Sequence, residues 1–132
     1  MKRLAAIVLV FCSVFSLASA AETDDVMPLY DYISGISTTL VISDLGYAEA
    51  TGTATVYPGY NVDVTVELQQ FNNGWTTLSS YTGSGSGPTG AIVYVKRFVS
   101  HGLYQAKVTV KVKNSRGTII ETQTETSSVK SY

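Results

Sequence analysis

Leu103-Tyr104-Gln105-Ala106-Lys107-Val108-Thr109-Val110-Lys111-Val112-Lys113 alternates from end to end. Tyr104, Ala106, Val108, Val110 and Val112 fall on one side; Gln105, Lys107, Thr109, Lys111 and Lys113 fall on the other. Successive side chains of a strand leave opposite faces, so this run is a strand with one face in a core and one in water. Wound as a helix, the same valines would be scattered around the cylinder and would lose rotamer freedom. The run therefore sets the class of the fold, an antiparallel sheet wetted on one side.

The pattern repeats outward from there. In Val62 to Gln70, Val62, Val64, Val66 and Leu68 point inward and Asp63, Thr65, Glu67 and Gln69 outward. Weaker runs lie at Ile36–Ser43, Tyr47–Tyr57, Trp75–Tyr81, Ala91–Phe98 and Thr118–Thr126, separated by Gly, Asn and Ser turns. About seven short strands at even spacing predict an all-β fold, an Ig-like antiparallel β-sandwich occupying residues 32–132. Tyr104 supports that topology. It follows a Gly102 turn and stands two residues before inward Ala106, the place of a structural tyrosine corner whose hydroxyl bonds back to backbone.

Two hairpins propose registers. Asn114-Ser115-Arg116-Gly117 suits a type I turn followed by a left-handed glycine, which pairs Asn114 with Thr118. Extending that ladder sets Lys111 opposite Glu121, Lys107 opposite Glu125 and Val112 opposite Ile120. Phe71-Asn72-Asn73-Gly74-Trp75 allows two loops. A two-residue Asn73-Gly74 turn pairs Leu68 with Ser79 and points Trp75 inward; a three-residue loop pairs Leu68 with Leu78 and sets Phe71 beside Trp75 outside. The second matches apolar with apolar and is preferred. Thr82 to Gly90 is glycine-rich and polar and reads as a flexible crossing between sheets.

The first twenty residues read as a signal peptide: Lys2 and Arg3, the apolar run Leu4 to Leu17, then Ala18-Ser19-Ala20 before cleavage. That run is too short to anchor in a bilayer, which takes roughly 20 apolar residues. Lipidation at Cys12 is not expected, because bulky Phe11 precedes it and apolar residues follow. Cleavage after Ala20 removes 20 of 132 residues and leaves 112, a cysteine-free chain without disulfides or thiolate metal ligands. Residues 21–31 are acidic and read as a flexible lead-in. Lys2 and Arg3 leave with the signal, so 7 bases face 10 acids and the net charge is −3. No basic block exists, which disfavours nucleic acid and anionic lipid as partners.

The tests for chemistry are negative. His101 is the sole histidine and lies in a Ser100-His101-Gly102 turn, so neither a triad nor a zinc site is expected. Asp44, Glu49, Asp63, Glu67, Glu121 and Glu125 are dispersed, mostly on wet strand faces, without the cleft that a glycosidase needs. No calcium-loop spacing and no phosphate-binding loop are present. No catalytic residue, metal or other cofactor is assigned. The aromatics remain: Tyr57-Pro58-Gly59-Tyr60 puts two rings on one turn, and Phe71 with Trp75 puts two more outside. Rings bind sugar C–H faces and protein partners at low entropic cost, so Trp75, Phe71, Tyr57 and Tyr60 are the candidate binding residues.

Val66-Glu67-Leu68-Gln69-Gln70, Asn73-Gly74-Trp75, Leu78 and Gly102-Leu103-Tyr104-Gln105-Ala106-Lys107-Val108 together resemble a family of short secreted proteins of Gram-positive bacteria. The resemblance covers most of residues 21–132, to Tyr132. It implies a signal peptide with one Ig-like sandwich of uncharacterised function, and carries over no catalytic residue. The expectation is a secreted, non-enzymatic binding or structural module meeting an extracellular protein or glycan. The alternative is a carbohydrate-binding module using the exposed aromatics. The chain is expected as a monomer whose edge strands offer a route to self-association.

Overall fold

The computed structural model describes residues 30–132; the expected signal peptide and most of the expected lead-in lie outside them. Eight strands follow in order: β1 (Ile33–Ile42), β2 (Tyr47–Val56), β3 (Asn61–Phe71), β4 (Trp75–Ser86), β5 (Ala91–Phe98), β6 (Leu103–Lys113), β7 (Ile119–Thr126) and β8 (Lys130–Ser131). One antiparallel sheet runs β1-β2-β5; the other runs β4-β3-β6-β7, with β8 also on β6. The protein is a β-sandwich. All seven expected strands are there, and the two-residue β8 is an addition.

The alternation places the core. Val62, Val64, Val66 and Leu68 of β3 lie opposite Val112, Val110, Val108 and Ala106 of β6. Ala48, Ala50, Ala54 and Val56 of β2 and Val93 and Val95 of β5 join them in one buried cluster. Each fully buried valine contributes roughly 1.5–3 kcal/mol through the apolar surface it removes from water. Tyr104 is also fully buried. Its hydroxyl donates to the Ser100 carbonyl at 2.5 Å and closes the turn ahead of β6.

Two expectations are corrected. The segment from Thr82 is not a flexible crossing, because β4 continues to Ser86 and only 87–90 cross between the sheets. Its hydroxyls are used: Thr82 bonds Thr65 at 2.8 Å and Ser84 donates to Asp63 at 2.7 Å. Its glycines let the sheets close up, since a Cβ on Gly85 would overlap the Gly90 carbonyl and one on Gly83 would lie 2.8 Å from Val93.

The second correction is the register of β7. The turn forms as expected, with Asn114 N–H donating to Thr118 O at 3.0 Å. Beyond it a bulge leaves Ile120 unpaired, so Val112 faces Glu121, Lys111 faces Thr122 and Lys107 faces Thr126. Because a strand repeats every two residues, that single step turns Glu121 and Glu125 from the wet face to the inner one.

A further contact follows from the second correction. Tyr30 and Asp31, at the end of the lead-in, are clasped by those carboxylates. Glu121 accepts the Tyr32 N–H at 2.9 Å and the Asp31 N–H at 3.3 Å. Glu125 accepts the Tyr30 hydroxyl at 2.6 Å. Tyr32 rests on Tyr60 with ring centroids 4.8 Å apart. Residues 30–32 thus cover the seam between β1 and β7, and inward carboxylates on an edge strand oppose pairing by a further strand.

Candidate functional site

The β3–β4 hairpin builds the most exposed part of the site. Asn73 (φ 55°) and Gly74 (φ 135°) both take positive φ within the three-residue loop 72–74, a backbone that Asn and Gly tolerate best. Phe71 and Trp75 pair directly across the strands, the preferred arrangement of the two considered. Their rings meet edge to face, centroids 5.3 Å apart, with Phe71 48% and Trp75 37% exposed. Trp75 points outward. The companion expectation, Leu68 opposite Leu78, is replaced by Leu68 opposite Ser79, since a bulge sets Leu78 aside to pack half-buried against the core.

The aromatic pair is continuous with a polar row. Gln70 pairs with Tyr104. Carrying the ladder one residue further places exposed Leu103 beside Phe71 on the outer face. One row inward, Gln69 and Gln105 face each other, and the Gln105 amide donates to Gln69 Oε1 at 2.8 Å. Gln69 Nε2 donates to Glu67 Oε1 and Thr77 Oγ, both at 3.3 Å, while Thr77 Oγ donates to the same Glu67 oxygen at 2.5 Å. Both glutamines are buried although they lie on the outer face. Mutual bonding offsets the cost of desolvating them and holds the row in place.

Charge on this face is balanced by β3 rather than β7. Lys107 lies opposite Glu67 and Lys111 opposite Asp63. Lys113 reaches Asp63 at 2.7 Å. The hydrogen bonds from Lys113 and Ser84 hold the Asp63 carboxyl below the usual aspartate range, against partial burial, which pushes the other way. On the clasped side, the bond to Glu125 comes first, followed by burial and the neighbouring carboxylates, in pushing the Tyr30 phenol up to about 12.

The four candidate aromatics do not form one site. Tyr57 and Tyr60 sit in the β2–β3 turn at the opposite end of the sandwich. Tyr60 is half-buried against Tyr32, a cap on the core, and Tyr57 stands exposed by itself. The residues that sequence reasoning missed are Leu103 and the Glu67, Gln69, Thr77, Gln105 row. Outward glutamines in two strands were visible, but their juxtaposition depends on a pairing between segments 36 residues apart. A second exposed pair, Tyr47 with Phe98 at 4.8 Å, lies on the outer face of the three-stranded sheet. His101 lies in its turn, stacked on Tyr132 at 4.5 Å.

Among the described residues no cleft of ligand size opens, no three His, Cys, Asp or Glu side chains converge as metal ligands, and no helix is long and apolar enough to cross a membrane. No protein-family model matches this chain, and no curated protein sequence matches it.

Proposed function

We propose that this chain is a secreted, non-enzymatic binding module of the immunoglobulin-like type, meeting an extracellular or cell-surface partner through the hairpin end of its five-stranded sheet. The observation that carries this reading is the Phe71–Trp75 pair, two large rings held in water by strands rather than by a mobile loop. Rings so fixed lose little entropy on binding and are the side chains that dominate interface energies. The strand order and the Tyr104–Ser100 bond support the immunoglobulin-like topology. The Lys2–Ala20 pattern supports export, and the sequence likeness to short secreted Gram-positive proteins agrees with both. Dispersed carboxylates and a lone turn histidine support a role without catalysis.

The test is retention of the labelled protein on cells of the organism that makes it. Trp75→Ala and Phe71→Ala, each checked for an unchanged circular-dichroism melt, are expected to weaken retention by about tenfold or more. Full retention by both variants would remove this face from the reading.

A further inference from the structure

On the reading that this face binds a partner, we propose that the ligand is a neutral glycan, one pyranose ring lying on Trp75 and Phe71 with its hydroxyls on Glu67 and Gln105. The apolar part of the face is small: two rings and Leu103, all exposed. That is the size of a sugar ring, whose C–H side stacks on aromatic carbon and whose rim carries donors and acceptors.

The neighbouring row matches that rim. Glu67 uses Oε1 for Gln69 and Thr77, and Gln69 uses its amide oxygen for Gln105. Glu67 Oε2 and Gln105 Oε1 have no partner among the described residues, and both accept hydrogen bonds. The site therefore pairs an apolar step with two fixed acceptors, which hydroxyl donors satisfy. Charge argues for a neutral ligand. Lys107 faces Glu67, and Asp63 is taken by Lys113, so no single-sign field is left to attract a polyanion. The two acceptors stand on β3 and β6, the central strands, away from the β4 edge where a peptide backbone would find its partners.

Trp75 is the only tryptophan, so its emission reports directly on the site. Soluble xylan, laminarin, mannan and chitin oligosaccharides are titrated against the full protein while its fluorescence and acrylamide quenching are followed. In parallel, cell retention is measured before and after periodate oxidation of the surface sugars. A blue shift with protection from quenching is expected for at least one glycan, as is loss of retention after periodate. Glu67→Gln and Gln105→Ala are expected to weaken binding about three- to tenfold with folding intact, and Tyr57→Ala, at the far end, to leave it unchanged. Loss after periodate with a silent panel still supports a glycan outside the panel. Retention that survives periodate yet fails in Trp75→Ala overturns the glycan and leaves the binding face standing. Retention indifferent to Trp75→Ala overturns both.

Discussion

Asp63 shows how much one side chain can report. Its carboxylate takes hydrogen bonds from Lys113 and Ser84, which favour the charged form over the unfolded value of 3.8. The stability it contributes is therefore complete above that value and lost as pH falls through its lower folded value. Asp63→Asn is expected to flatten the acid limb of the melting-temperature profile below about pH 4 and to cost less than about 1 kcal/mol at neutrality, since the pair is partly exposed. Thermal melts across pH check both. Gly85 is the opposite kind of residue, important for what it lacks. An alanine Cβ there meets the Gly90 carbonyl, backbone that cannot rotate away. Gly85→Ala is expected to cost about 1–3 kcal/mol in urea unfolding, the range for overpacking a close-fitted contact.

Among the elements, β7 is where local and global preferences part. The N-terminal clasp predicts a tyrosine that titrates late: Tyr30 stays neutral up to about 12, so the stability from its bond to Glu125 is full below 10.0 and lost between the two values. Glu125→Ala is expected to bring that phenol down toward the ordinary range, with burial and Glu121 still raising it, read as phenolate absorbance. What the sequence revealed of the fold follows the same division. Strands whose valines alternate with charges were legible, because alternation is a property of neighbours. The hairpin at Asn72–Gly74 was legible as a pair of options; the outward Trp75 was the preferred one, although the Leu68–Leu78 match that favoured it did not form. The bulges at Leu78 and Ile120 were not, since what favours them is packing and bonding to distant chain, including Tyr30–Tyr32 on Glu121 and Glu125. The polar strand Thr82–Ser86 was missed for a related reason: its glycines fail every propensity rule and succeed only because a second sheet lies against them.

Among the described strands, β2, β3 and β6 are hydrogen-bonded on both sides, whereas β1, β4, β5 and β7 each pair on one side only. Amide hydrogen exchange is expected to be slowest in β3 and β6, where the buried valines concentrate, and fastest at the outer edges of β1 and β7. The two central strands of the larger sheet pair with each other without a break, while both flanking strands accommodate an extra residue, Leu78 in β4 and Ile120 in β7. The extra residue in β7 governs which length changes the gene can tolerate. Removing Ile120 straightens the strand yet keeps Val112 opposite Glu121, at the expense of that isoleucine's own burial. Removing Thr122 instead, two positions on, reverses the facing of Glu125 and releases Tyr30. Neighbouring single-codon deletions are thus expected to differ sharply in the yield of folded protein.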